Sequence, residues 1–300
     1  MRKRTSMLVW GTAAAVASSI SYGVNPLGAL KLYALGYTPV SVLLFRFGYA
    51  AAALLLWMTI AGQRPLLSLR ETVYTAGLGA LFAVSSITFY VSFESLGAGL
   101  ASTLVFLYPI FVALLMCTLF GEKFSWRISF ATLLALVGVA RLADAAGARL
   151  SAGGLALAVI SAFAYAVYIV ALRRAKMKGE LVPVTFWTML FTFVAVSVYA
   201  AACGGAAFVL PRGIPDVAWG LFLGVCPSLV SLVLLSYALK RIGPTPTAIY
   251  GALEPPTAVL VGCLVFGEPF SLRIAFGIAL ILAAVAIVIL QSSVRRRCTG

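Results

Sequence analysis

Runs of about twenty apolar residues follow one another along the whole chain, parted only by short polar, glycine- or proline-bearing breaks. They fall at residues 8–30, 39–61, 72–94, 98–120, 126–142, 152–172, 182–204, 216–239, 245–266 and 271–290. A bilayer's hydrocarbon layer is ~30 Å thick and takes about 20 helical residues per crossing. Inside it every backbone polar group must be paired within the protein, which such runs achieve as helices. The fold class expected is therefore an all-α polytopic membrane protein with ten transmembrane helices. Composition agrees: 63% of the residues are hydrophobic and 10% charged, whereas soluble domains carry ~25% charged residues. The loops left over are a dozen or so residues at most, so no soluble domain is expected.

The net charge of +14 would suggest nucleic acid in a soluble protein. Here the basic residues mark orientation, because Lys and Arg accumulate in cytoplasmic loops. With the N-terminus inside, sixteen Lys and Arg fall on the cytoplasmic side and five on the other; Arg46 alone lies within a span. Both termini are expected in the cytoplasm of a bacterial cell, with the chain in the inner membrane. Arg2-Lys3-Arg4 and Arg295-Arg296-Arg297 read as contacts to anionic lipid at the bilayer surface. No nucleic-acid partner is expected. The first run reaches Asn25-Pro26, past the length of a signal core, and is read as a span rather than a signal peptide.

Histidine is absent, which removes Ser-His-Asp and Cys-His catalysis and His metal sites. Asp144 and Asp216 lie in predicted loops, so an intramembrane aspartyl pair is missing too. The five cysteines stand singly and read as buried free thiols. No enzyme activity, cofactor or metal is expected.

The chain matches itself at an offset of 146 residues. Residues 120–130 (FGEKFSWRISF) align with 266–276 (FGEPFSLRIAF), eight of eleven identical. The same offset pairs Gly97 with Gly243, Pro109 with Pro255, Cys117 with Cys263 and Ser85 with Ser231. Offsets of 143–144 pair Ser18 with Ser161, Tyr22 with Tyr165 and Pro39 with Pro183. A unit of five spans, residues 1–146, is thus repeated in 147–300. Five is odd, so the copy runs through the membrane upside down. Inverted repeats related by a two-fold axis in the membrane plane are a mark of secondary transporters.

These strings carry a resemblance. Glu94-Ser95-Leu96-Gly97-Ala98-Gly99 through Tyr108-Pro109 to Phe120-Gly121-Glu122, and Lys240-Arg241-Ile242-Gly243-Pro244 through Leu253-Glu254-Pro255 to Phe266-Gly267-Glu268, resemble the EamA-type repeat of the drug/metabolite transporter superfamily. In that family an L-E-P step is followed by a G-E turn. The first copy departs from the pattern with Tyr108 in place of Glu. The likeness spans nearly the whole chain and is similar in overall look to the bacterial aromatic amino acid exporters. It implies ten helices and export of amino acids and related small metabolites, with another metabolite or drug class as the alternative cargo.

Polar groups at membrane depth usually face a cavity or a partner. Glu254, beside Pro255-Pro256, is a candidate substrate contact, and Tyr250 lies four residues earlier on the expected same helical face. Tyr108 holds the corresponding place in the first copy. Ser18, Tyr22 and Asn25 form a stripe on span one; Tyr165 and Tyr168 continue its counterpart on span six, from Ser161. Ser86 and Tyr90 on span three and Ser231 on span eight complete the candidates. Packing of helices accounts for hydroxyl and aromatic stripes of this kind equally well. Arg46 is a charge partner in search of a counter-ion, with Glu94 and Glu254 the carboxylates at hand. Glu122 and Glu268 read as helix caps paired with Arg127 and Arg273.

The function expected is alternating-access secondary transport, by a monomer in the lipid bilayer, with a proton as candidate coupling ion. No G-x-x-x-x-G-K-[ST] loop occurs, so ATP is not the direct drive. A channel is the rival within membrane proteins.

Overall fold

The computed structural model describes residues 2–63, 66–121, 126–144, 151–174, 181–203, 209–266, 271–273, 275–284 and 287. Among them the regular structure is helical throughout, without strands. In chain order the helices are α1 (Arg2–Gly23), α2 (Asn25–Ala34), α3 (Pro39–Ile60), α4 (Leu69–Val105), α5 (Tyr108–Phe120), α6 (Trp126–Asp144) and α7 (Ala152–Arg174). The second half holds α8 (Leu181–Ala202), α9 (Ile214–Leu223), α10 (Ser231–Ile242), α11 (Pro244–Tyr250), α12 (Glu254–Phe266) and α13 (Ala275–Ala284). A π-helical segment, Gly224–Val230, joins α9 to α10, and a 3₁₀ turn, Gly251–Leu253, joins α11 to α12. Seven stretches are long and apolar enough to cross a bilayer, and three shorter apolar helices, at 108–120, 129–138 and 275–284, accompany them. The outer surface carries Trp57, Ile60, Leu133, Val198 and Leu264 exposed, an exterior that only lipid can solvate. The protein is an all-α polytopic membrane protein.

The sequence places a break near residue 95, yet helical backbone continues to Val105. The chain turns back all the same. Phe89, Leu96, Ala101 and Val105 pack in one small cluster with Leu155 and Ala158 of α7, whereas a straight helix would hold Phe89 and Val105 about 24 Å apart. The reversal therefore lies between Leu96 and Ala101, and α4 contains span three plus the start of span four. In the second copy the matching corner is a true break: Gly243 adopts φ +87° between α10 and α11, a conformation that favours glycine.

Packing repeats with the halves exchanged. Helix α1 packs on α10, and α7 on α4; α3 packs on α9 and the π segment, and α8 on α4; α12 meets α1, and α5 meets α7. Single hydrogen bonds reproduce the exchange. Ser18 Oγ donates to the Ser231 carbonyl at 2.8 Å, with the two hydroxyls 3.2 Å apart. Ser161 Oγ donates to the Ser85 carbonyl at 2.7 Å, again with hydroxyls 3.2 Å apart. Both pairs join residues that the self-alignment makes equivalent, so the two interfaces are one interface used twice about a pseudo-dyad.

The π segment has its origin in the repeat. Gly79 and Gly224 sit at the same point of their helices, 145 residues apart, while Ser85 and Ser231 are 146 apart. The one extra residue of the second copy thus falls between these anchors. It is absorbed as π-helix, the usual way a helix takes up a single insertion, with Pro227 inside. The helix in the first copy runs through unbroken.

Two expectations need correction. The four described cysteines are free thiols as expected, but none is fully buried: Cys117, Cys226 and Cys263 are half-buried and Cys203, at the end of α8 where the span runs out, is exposed. Asp216 lies in the first turn of α9 rather than in a loop, where it accepts from Tyr37 Oη at 2.6 Å and from the Arg212 N–H at 2.9 Å. Cys298, Glu122 and Glu268, and the side chains of Glu94, Arg127 and Asp144, lie outside the described residues.

Glycine sets the spacing at the crossings. A Cβ on Gly79 would stand 2.6 Å from Phe191 Cβ and 2.9 Å from the Thr192 nitrogen; one on Gly224 would stand 2.7 Å from Tyr49 Cβ and 2.8 Å from the Ala50 nitrogen. The obstacles are backbone and Cβ atoms, which cannot yield. Gly79→Ala and Gly224→Ala are each expected to destabilise by about 1–3 kcal/mol, read as a lower melting temperature of the detergent-purified protein. Gly77→Ala, where a Cβ meets nothing within 4 Å, is expected to leave it unchanged or slightly raised.

Candidate functional site

Two helix breaks at equivalent positions open the centre of the molecule. In the first copy α4 ends at Val105 and α5 begins at Tyr108-Pro109; in the second, α11 ends at Tyr250 and α12 begins at Glu254-Pro255. Proline has no N–H to donate and is tolerated in the first turn of a helix, so each break starts a new half-helix. A third break has no counterpart. The chain leaves α1 at Gly23 and resumes at Asn25-Pro26, whereas the equivalent Tyr168 lies within the continuous α7.

A cavity lies where these breaks converge. Tyr22, Asn25 and Pro26 line it from α1 and α2, Ser85, Ser86 and Phe89 from α4, Phe106 and Tyr108 from the first break, Ser161 and Tyr165 from α7, and Glu254 and Pro255 from the second break. Both halves contribute. Gly23 lets α1 close on α12: a Cβ there would stand 2.7 Å from the Glu254 carbonyl oxygen and 2.6 Å from Thr257 Cβ.

Of the residues singled out from sequence, Tyr22, Asn25, Ser86, Tyr108, Tyr165 and Glu254 line this cavity. Ser18 and Ser231 hold one another at the α1–α10 interface instead. Tyr168 is buried behind the wall, its ring stacked 6.0 Å from that of Tyr165. Tyr90 is fully buried, exchanging hydrogen bonds with Asn25 through Nδ2 at 3.1 Å and Oδ1 at 3.2 Å. Tyr250 is buried and does not reach the cavity. The expected shared face with Glu254 fails because the 3₁₀ turn between them has three residues per turn, not 3.6.

Tyrosine supplies much of the lining. Tyr108 and Tyr165 meet edge to face with centroids 4.9 Å apart, and Phe106 abuts Tyr108 at 5.6 Å. Tyr108 Oη donates to the Ala248 carbonyl in the last turn of α11 at 3.1 Å. Glu254, in contrast, has no hydrogen-bond or ion-pair partner among the described residues.

Arg46 is fully buried in α3. Its partners are hydroxyls and a ring: Nε donates to Ser228 Oγ at 2.8 Å, Nη1 approaches Tyr90 Oη at 3.5 Å, and the guanidinium lies 5.0 Å from the Tyr22 ring centroid. Glu254, expected as a counter-ion, is not within ion-pairing distance. Ser228, which follows Pro227 in the span-eight hydroxyl stripe, lies in the π segment and serves Arg46 rather than the cavity. Ser85 and Ser161, whose contact also forms cavity wall, were visible in the repeat but not singled out as site residues. Among the described residues no group of three or more Cys, Asp or Glu could hold a metal ion.

A duplicated helical bundle with broken helices around a central cavity is the architecture of a membrane transporter. The chain belongs to the EamA-like transporter family, whose profile matches twice, at residues 9–143 and 152–290. The transporter YdfC of Bacillus subtilis, itself uncharacterized, is 27% identical over 235 residues, 78% of this chain and 76% of its own. A probable terminal-alkyne amino-acid exporter of Streptantibioticus cattleyicolor is 27% identical over 213 residues, 67% of each chain. One crystal structure shares the fold at a TM-score of 0.79 and 21% identity, covering 97% of this chain and 99% of the other.

The wall at the second break is close-packed. A Cβ on Gly251 would run into Tyr108 Oη, with Tyr108 Cζ next at 3.0 Å. Gly251→Ala is expected to lower the melting temperature, and Gly251→Ala/Tyr108→Phe to recover part of the loss, because the obstructing hydroxyl is gone.

Proposed function

We propose that the chain is a secondary transporter that exports amino acids, aromatic and hydrophobic ones foremost, across the bacterial inner membrane, with both termini in the cytoplasm. The observation that carries this reading is the two-sided character of the cavity. Glu254 offers an unpaired carboxylate at a helix break, suited to an ammonium group, and the rings of Tyr22, Phe89, Phe106, Tyr108 and Tyr165 offer an apolar bed for a side chain. The relative named as a probable amino-acid exporter supports the cargo class. Transport proceeds by rocking of one half, residues 1–146, against the other, 147–300, about the shared cavity. The proton is the coupling ion this reading assigns, so an imposed pH gradient drives accumulation against a concentration gradient.

Proteoliposomes loaded with L-phenylalanine test it. Labelled L-phenylalanine outside is expected to enter by saturable counterflow that unlabelled aromatic amino acids compete away. Glu254→Gln is expected to lower that flux about tenfold or more, the scale of losing one partner of a buried charge pair, with the melting temperature retained. Linear flux that no competitor touches would contradict the proposal.

A further inference from the structure

Arg46 holds an unmet demand that the cavity described above does not explain. Its Nη2 is buried without a hydrogen-bond partner, and among the described residues no carboxylate lies within 4 Å of the guanidinium. A buried cation without a counter-charge is strongly destabilising, and a buried donor without an acceptor adds to that. The surroundings nonetheless hold the group in a fixed pose. Ser228 takes Nε and itself donates to the Leu223 carbonyl at 2.9 Å, five residues back at the end of α9. Asn25 fixes Tyr90, which stands 3.5 Å from Nη1.

With Nε on Ser228 and Nη1 already in a long contact with Tyr90, Nη2 and the second hydrogen of Nη1 are what remain for a ligand, a fork whose geometry matches the two oxygens of a carboxylate. The way to it is short. Tyr22, whose ring faces the guanidinium, and Asn25 both line the cavity, so an anion in the cavity is separated from the fork by the Tyr22 side chain.

We propose that Arg46 is the carboxylate-binding group of the transport site, reached when the Tyr22 ring swings aside. The α-carboxylate of a bound amino acid then receives the Nη1 and Nη2 hydrogen bonds and neutralises the buried cation. Glu254, which lines the same cavity and whose backbone carbonyl approaches Gly23 next to Tyr22, receives the ammonium group. This assignment rests on the amino-acid reading and gives it a polarity: carboxylate toward α3 and the π segment, side chain toward Tyr108 and Tyr165.

Counterflow is measured with L-phenylalanine and with L-phenylalaninamide, which keeps the ammonium and the ring but lacks the carboxylate. The wild-type protein is expected to prefer the acid by about tenfold or more. Arg46→Gln is expected to lower phenylalanine flux and bring the two substrates within about twofold, and Arg46→Lys, which keeps the charge without the fork, to fall between. An unchanged preference in Arg46→Gln overturns the proposal. Should that variant not fold, the wild-type melting temperature decides: a rise with phenylalanine and with hydrocinnamate but not with the amide supports the site, and an equal rise with the amide overturns it. Stabilisation by hydrocinnamate, without flux of phenylalanine or any other amino acid, would retain the anion site and remove the amino-acid reading.

Discussion

A polar group inside the hydrocarbon layer has to find its partner within the protein, and nearly every feature of this molecule follows from that demand. The serine hydroxyls of α1 and α7 turn to the carbonyls of α10 and α4, so the two halves are joined by polar contacts that cannot face lipid. The Leu223 carbonyl that Pro227 leaves without its N–H is met by Ser228, and Tyr108 meets the Ala248 carbonyl beside the second break. Those breaks cannot lie on the lipid face, so they gather at the centre. A cavity is the consequence.

Symmetry brings the halves together, and departures from it make the site. Glu254 stands where the first copy has Tyr108, and Asn25, at a helix break, stands where the second copy has Tyr168 in unbroken helix. The polar side therefore collects Asn25, Tyr90, Arg46 and Ser228. Rings pack behind it: Phe47 lies 5.2 Å from the Arg46 guanidinium and 5.6 Å from Phe82, which stands 5.0 Å from Tyr168.

Much of this was legible in the residues. The apolar runs gave seven of the ten spans to within about four residues, because span length is set by bilayer thickness; the runs at 98–120, 126–142 and 271–290 hold shorter apolar helices among the described residues. The self-match identified Ser18, Ser85, Ser161 and Ser231 as equivalent positions but not as partners of one another, since contacts across the dyad join different helices of opposite copies. Tyr250 was misplaced because helical periodicity presumes 3.6 residues per turn, and the 3₁₀ turn at Gly251–Leu253 breaks it. Arg46 stood out as a charge within a span, yet its hydroxyl and aromatic partners come from α1, α4 and the π segment, and only tertiary packing brings them together.

The account stands on a five-span unit duplicated in opposite orientation. Two-sided topology reporters fused at Ser95 and Arg241, equivalent corners of the two copies, measure that directly. Opposite compartments for the two positions, Arg241 in the cytoplasm and Ser95 outside it, are the predicted result; finding both on one side of the membrane would contradict it.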